Sequence, residues 1–135
     1  MATVKLVNAF DRFMAGRGMI SQNEVRGMEV EALVDTGANM LVLPEEVVDQ
    51  LGLEEIDRRR VRYADGRVAV RRVVASVRLE ILGRHGDFDA IAENRGTVPL
   101  IGQVVLEELD LIVDPRSNEV RPDPDSPDMP TVDVF

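Results

Sequence analysis

The chain of 135 residues has no cysteine and only one histidine, and this scarcity excludes several kinds of metal and disulfide site. Without cysteine there is neither a disulfide nor a thiolate metal site. The histidine, His85, lies within a glycine-containing stretch at 82–86 that we interpret as a turn, and one histidine cannot form a multi-histidine metal site. No segment approaches the roughly 18 apolar residues of a membrane span. We therefore expect no metal ion, no cofactor and no membrane partner.

Lysine is scarce as well, because Lys5 is the only one and nearly all positive charge comes from arginine. The chain carries 16 basic and 25 acidic residues, and its net charge of −9 argues against nucleic acid as a partner. Residues 1–7 show no basic region followed by an apolar core. No signal peptide is therefore predicted, and the expected location is cytoplasmic.

The arginines are unevenly placed, because seven of them fall within residues 58–72, where Asp65 is the only acid. We interpret this segment as a solvated hairpin face that pairs with acidic neighbours, and the alternative is a basic lip over a binding cleft. The seven are Arg58, Arg59, Arg60, Arg62, Arg67, Arg71 and Arg72.

Short apolar segments separated by turn residues indicate many short strands. Asp65-Gly66 between β-rich flanks predicts a hairpin, and two small helices are predicted at 44–52 and at about 103–109. This pattern favours a closed or nearly closed β structure. We predict one domain over residues 1–121 and a proline-rich acidic tail over 122–135, and we expect part of that tail, 126–135, to pack on the domain or on a partner subunit.

One acid, Asp35, stands between two apolar runs in the sequence ALVDTGANMLVL at 32–43. Burial raises the pKa of a carboxylate, and displaced pKa values cluster at functional sites, so we expect Asp35 to lie in a buried setting. The alternative is a plain polar turn with a surface aspartate, because Asp, Thr and Gly are all common in turns.

Three chemistries use an aspartate in such a place. An aspartyl-phosphate nucleophile needs a cation site, and residues 36–38 (Thr-Gly-Ala) supply no second acid. A glycosidase needs a second carboxylate in a comparable setting, and none is found. An aspartic protease needs two aspartates that share one proton, and a twofold dimer would place Asp35 of each subunit across its axis.

Together, the segment 32–38 (ALVDTGA) and the Leu-Ile-Gly sequence at 100–102 resemble the retroviral-type, or retropepsin-like, aspartic protease family. The similarity extends in order and spacing over about 25–114, with the Asp65-Gly66 hairpin where the family has its substrate-covering flap. The resemblance implies a mainly β fold, a small closed β-barrel of the acid-protease type with one or two short helices. It also implies a homodimer that acts on a peptide or protein substrate.

The resemblance further implies roles for individual residues. Asp35 is the expected catalytic residue, supported in its loop by Thr36, Gly37 and Ala38. Gly102 and Gln103 are expected to be structural beside the site. The expected substrate-binding residues are Leu33, Asn39, Tyr63, Ala64, Asp65, Gly66, Leu100 and Ile101.

Departures from the family pattern are visible too. The predicted flap tip has Gly66 as its only glycine, and Asn39 and Gln103 are neutral where retroviral members often pair an acid with an arginine, so a hydrogen bond is expected instead. The family's dimers are usually held by a sheet of chain termini, and either 3–8 or 132–135 could form that sheet here. The predicted function is an aspartic endopeptidase; the alternative is a non-catalytic homodimeric peptide-binding or interaction module with the same fold.

Overall fold

Six strands close into a barrel in the computed structural model, which describes residues 1–134. The order around the ring is β1-β2-β7-β3-β6-β5, and β5 pairs back with β1. A strand of nine residues, β4, extends the sheet beyond β5. The elements are β1 (Ala2–Asn8), α1 (Ala9–Gly16), β2 (Gly27–Val34), β3 (Leu41–Pro44), α2 (Glu45–Leu51), β4 (Glu54–Arg62), β5 (Val68–Ile81), β6 (Arg84–Glu93), β7 (Leu100–Ile101), α3 (Gln103–Glu108), β8 (Leu111–Asp114) and β9 (Glu119–Pro122).

The fold confirms the predicted mainly β class, with a closed barrel and few short helices. Its interior is filled by branched aliphatic side chains, which suit strands that are buried on one face. The largest side chains that are almost fully buried come from most elements of the ring and from the helices that cap it: Leu6, Leu41, Leu43, Leu51, Leu79, Ile101 and Leu109.

The first helix, α1, is one helix more than the resemblance implied. Buried Asn8 caps it by accepting from the main-chain N–H of Asp11 over 3.0 Å, and its Nδ2 donates to the carbonyl of Leu51 over 2.9 Å. Asp11 in turn accepts from Nε of Arg26 over 2.8 Å, and this bond holds the pKa of Asp11 below its usual range. The helix is thereby fixed to the start of β2 and to the end of α2.

The second helix, α2, ends as predicted at Gly52. Gly52 has a left-handed backbone with φ +63°, which glycine adopts readily. The guanidinium of Arg26 lies directly over it, because an added Cβ would come within 1.8 Å of Nη1. A side chain at this position would displace Arg26 from Asp11.

Two hairpins differ from the sequence interpretation. β5 and β6 are joined by Leu82 and Gly83 alone, both with positive φ, so His85 lies in strand β6 rather than in the turn. β4 begins at Glu54, although its first half was not predicted as a strand. All its residues are exposed except half-buried Val61, so neither face shows the alternation that marks a strand.

The C-terminal segment packs on the barrel. β8 and β9 form a separate two-stranded sheet, and the chain then passes over buried Arg84. That guanidinium donates to the carbonyl oxygens of Leu109, Asp110 and Ser126. Ser126 is 6% exposed, so part of the predicted tail packing is present, while Phe135 lies outside the described residues.

Candidate active site

Asp35 follows the end of β2, directly beside β7. The two strands run parallel, with Leu33 opposite Leu100 and Val34 opposite Ile101. The main-chain N–H of Asp35 donates to the carbonyl of Ile101 over 3.0 Å. The two motifs that carry the resemblance, some 65 residues apart in sequence, therefore meet at this point of the barrel.

The turn after Asp35 is closed by its own groups. The main-chain N–H of Gly37 donates to Oδ1 of Asp35 over 2.8 Å, and the N–H of Ala38 donates to the Asp35 carbonyl over 3.1 Å. At Gly37 an added Cβ would lie 3.1 Å from the same Oδ1. A residue without a side chain thus lets the loop close tightly around the carboxylate.

Gly102 fixes the second half of the loop against α3. An added Cβ there would lie 2.6 Å from the carbonyl oxygens of both Asn39 and Met40. The next two N–H groups, of Gln103 and Val104, donate to the carbonyls of Ala38 and Asn39 over 2.8 and 2.9 Å. The first turn of α3 therefore satisfies its free donors on the loop that carries Asp35.

Asp35 itself differs from the expectation of a buried carboxylate, because it is exposed in the single chain, as are Thr36 and Gly37. Of the two apolar residues directly before Asp35, only Val34 is buried, at 5% exposed, whereas Leu33 is 39% exposed. A shallow depression of about 360 Å³ lies beside the carboxylate. Its lining is Val34, Asp35, Thr36, Val113, Pro115 and Asn118.

The predicted apolar contact residues separate into two groups. Leu33 and half-buried Leu100 are register partners beside Asp35 with accessible side chains. Ile101 is 1% exposed and belongs to the core, so it offers no surface to a peptide. Val98, which we did not single out, is 47% exposed two residues before Leu100. The alternation of residues 98 and 100 was the signal that could have identified it.

Asn39 and Gln103 do not form the expected side-chain hydrogen bond with each other. The Gln103 amide donates to Oε1 of Glu107, one turn along α3, over 3.1 Å. Asn39 is exposed and contacts α3 through its carbonyl oxygen. The main chain thus makes the link that side chains were expected to make.

The tip of the β4–β5 hairpin is a three-residue loop, Ala64 to Gly66. The Gly66 N–H donates to the Tyr63 carbonyl, and the Tyr63 N–H donates to the Arg67 carbonyl, both over 2.9 Å. Gly66 has φ +88°, as expected for a type I turn followed by a bulge. Asp65 accepts from the Arg67 N–H and Nε, and these bonds lower its pKa. The tip is therefore an ordered turn despite its single glycine.

Tyr63 directly follows β4, and its side chain reaches back to the barrel. Its hydroxyl donates to Oε2 of Glu93 over 2.6 Å and accepts from Nε of Arg71 over 3.0 Å. Neither Glu93 nor Arg71 was a predicted site residue. Glu93 lies thirty residues from Tyr63, and sequence spacing gives no sign of the contact.

The arginine-rich segment is largely paired with acids, as the favoured interpretation held. Arg71 pairs with Glu93 and Arg72 with Glu45, while Arg58, Arg59 and Arg67 pair within the hairpin. Within residues 1–134 no cluster of three or more histidine, cysteine or acidic side chains could hold a metal ion. Across the same residues, no helix has the length and apolar content to cross a membrane.

A sequence model of the aspartyl protease family matches residues 21–106, which is more than half of the chain. The chain belongs to this aspartyl protease family. The matched segment runs from the loop before β2 into α3 and contains both Asp35 and the hairpin. Among solved structures, this aspartyl protease family member is similar to the EIAV protease complexed with the inhibitor HBY-793. The identity is 22%, the match covers 60% of this chain and 75% of that chain, and the TM-score is 0.44. The comparison with curated proteins gives no match.

Proposed function

We propose that the protein is a homodimeric aspartic endopeptidase, in which Asp35 of each subunit forms a catalytic pair. The observation that carries the proposal is that Asp35 is held rigidly and yet left uncovered. Its main chain is bonded to β7 and its loop to α3, while its carboxylate is exposed. A fixed acid beside a shallow depression lined by both polar and apolar side chains is suited to meeting a symmetry-related copy.

The chemistry of such a pair follows from charge repulsion. Two carboxylates about 3 Å apart do not both ionise near neutral pH, so they share one proton. The ionised member removes a proton from water, and the water oxygen attacks the peptide carbonyl carbon. The protonated member donates to the carbonyl oxygen. As the C–N bond breaks, the carboxyl group that took the water proton passes it to the amine nitrogen, and the other carboxylate takes back a proton from a hydroxyl of the intermediate. The pair is thereby restored, and the apparent pKa values belong to the pair.

The dimer surface that we propose is the depression beside Asp35. Of the segments left open, 3–8 lies in β1, which already pairs with β2 on one side and β5 on the other. Its residues 5–7 are paired on both edges, so only the start of β1, residues 2–4, has an edge that is not bonded to β5. The β8–β9 sheet packs on the barrel without pairing with a barrel strand, and Val113 of β8 and Pro115 in the turn after it line the depression with Thr36. We therefore favour β8–β9 as the element that meets the partner.

The substrate would be an extended peptide that lies against Leu33, Val98 and Leu100. These exposed or half-buried apolar side chains adjoin the catalytic loop. Ala64, Asp65 and Gly66 at the hairpin tip would cover the peptide. Such a site takes apolar side chains next to the cleaved bond.

The Asp35→Asn variant tests the proposal, because asparagine keeps the shape and the bond from Gly37 but cannot act as the base. We expect cleavage of a peptide library at mildly acidic pH to fall by at least about a thousandfold, with the solution mass unchanged. Asp87→Asn, at an exposed position in β6, is the matched control and should cleave normally. Equal cleavage by Asp35→Asn and the wild type would refute the proposal.

A second candidate is a non-catalytic homodimeric module that binds peptides. The bond from the Gly37 N–H to Oδ1 favours it, because it gives Asp35 a part in shaping the loop even without catalysis. Capture of library peptides by the wild type, with no turnover between about pH 3 and 8, would establish this function instead.

A further inference from the structure

Tyr63 is bound at both ends of its side chain. Its ring lies under the guanidinium of Arg67, whose Cζ is 5.0 Å from the ring centroid. Its hydroxyl sits between Glu93, to which it donates over 2.6 Å, and Arg71, from which it accepts over 3.0 Å. Arg71 Nε also lies 3.0 Å from Oε1 of Glu93, so the three groups form a closed triangle. We call these three residues the Tyr63 latch.

The latch joins the hairpin to a fixed part of the barrel. Glu93 is buried at the end of β6, opposite Pro44 at the end of β3. Its Oε1 also accepts from the main-chain N–H of Asn94 over 3.1 Å. The Glu93 carboxylate therefore accepts one bond from the main chain after β6 and others from Tyr63 and Arg71 in the hairpin.

A second ion pair, between Arg72 and Glu45, attaches the other face of the same hairpin to the barrel. Arg72 follows Arg71 in β5, so the two side chains point to opposite faces. Arg72 pairs with Glu45, the residue directly after β3. The base of the hairpin is thus fixed on both faces to the ends of two neighbouring barrel strands, but only the Tyr63 latch extends this attachment toward the tip.

The outer part of the hairpin is otherwise little buried, since residues 64–68 are all exposed. β4 is an edge strand, and its residues are exposed apart from half-buried Val61. Hydrogen bonds that involve charged groups in partly buried places are stronger than those between neutral groups in water. The latch therefore ties the chain next to the exposed tip to the end of β6.

We propose that Tyr63 is a positioning residue, which through Glu93 and Arg71 keeps the hairpin closed over the peptide site. This inference rests on the proposed function for the peptide, and it reassigns Tyr63 from contacting substrate to holding the lid. Opening the hairpin to admit a peptide then requires the hydroxyl to leave Glu93. Without the latch the covered complex forms less often, so peptides bind more weakly while the chemistry at Asp35 is unaltered.

The Tyr63→Phe variant removes the hydroxyl and keeps the ring under Arg67. We expect hydrogen exchange of the Tyr63 and Gly66 amide groups to accelerate about tenfold. Their bonds lie within the tip and open more often once the Tyr63 side chain is no longer tied to Glu93. For the library peptide that the wild type cleaves best, KM should rise about tenfold with kcat within about twofold. Arg60→Gln, in the same hairpin, is the matched control and should change neither quantity.

Glu93→Gln provides a second route to the same result, because its amide replaces the charge that binds Tyr63 and Arg71. Faster exchange at the tip together with a raised KM in both variants supports the proposal. Unchanged exchange in Tyr63→Phe overturns the latch, and faster exchange with an unchanged KM overturns its positioning role. If the wild type cleaves no peptide, the proposed function fails, whereas the exchange measurement still decides whether the latch exists.

Discussion

Gly102 packs against the main chain of Asn39 so closely that an added Cβ would lie 2.6 Å from the Asn39 carbonyl oxygen. This contact lets the first turn of α3 donate hydrogen bonds to the loop that carries Asp35. The loop cannot retreat without losing those bonds. The position of the proposed catalytic carboxylate therefore depends on Gly102, a residue without a side chain that takes no part in the chemistry itself.

Gly102→Ala is expected to destabilise the protein and to displace Asp35. The methyl group must push α3 away from two carbonyl oxygens, and overpacking of this kind costs about 1–3 kcal/mol of unfolding free energy. Chemical denaturation measures that loss, and cleavage should fall with it. Gly16→Ala is the matched control, since nothing lies within 4 Å of its added Cβ. Equal stability of the two variants would contradict the close approach at Gly102.

The tail is expected to detach from the barrel in acid. Oδ2 of Asp110 accepts from the Thr131 N–H over 2.7 Å and from the Ser126 hydroxyl over 2.9 Å, and these bonds lower the pKa of Asp110. A lowered pKa means that the stabilisation is present above the unfolded value, near 3.8, and is lost as pH falls through the folded value. Proteolysis within 126–134 should therefore accelerate below about pH 4.

Two variants test the tail further. Asp110→Asn should show fast proteolysis of the tail already at neutral pH, and its dependence on acid should disappear. Deletion of 126–135 should lower the thermal midpoint of the protein, because it leaves buried Arg84 without the Ser126 carbonyl. An unchanged midpoint after the deletion would show that the tail contributes nothing to stability.

A charge at Val113 is expected to dissociate the proposed dimer. Val113 lines the depression beside Asp35, and an aspartate there would be buried against the partner without a counter-charge. We expect the Kd of the Val113→Asp dimer to rise at least about a hundredfold, with cleavage lost in parallel. Sedimentation equilibrium measures the mass. Leu82→Asp, in the exposed β5–β6 turn, is the control and should remain dimeric; a monomeric wild type would refute the dimer itself.

Much of the fold and the centre of the site could be predicted because their signals are local. Pro44 and Gly52 bound α2, and Asp65-Gly66 forms the turn that such pairs favour. The pairing of residues 33–34 with 100–101 is a long-range contact, and the family resemblance supplied it. Physical reasoning from spacing alone would not have placed those segments side by side.

The remaining features depend on contacts that leave no periodic trace in the sequence. The first half of β4 carries acids on both faces, because an edge strand with two solvated faces needs no alternation. Glu93 is the last residue of β6, and no neighbouring residue in the sequence indicates that a tyrosine binds it. The exposure of Asp35 was not predicted, because the apolar residues around it indicated burial. Such a pattern does not show whether the covering surface belongs to the same chain or to another one.

β1 occupies the seam of the barrel, since its residues pair with β2 along one edge and with β5 along the other. Loss of this single strand would convert the closed ring into an open sheet with two long unpaired edges. Such edges recruit other chains, so the cost would be aggregation as well as lower stability. The seven residues at 2–8 therefore protect solubility as well as the barrel's closure.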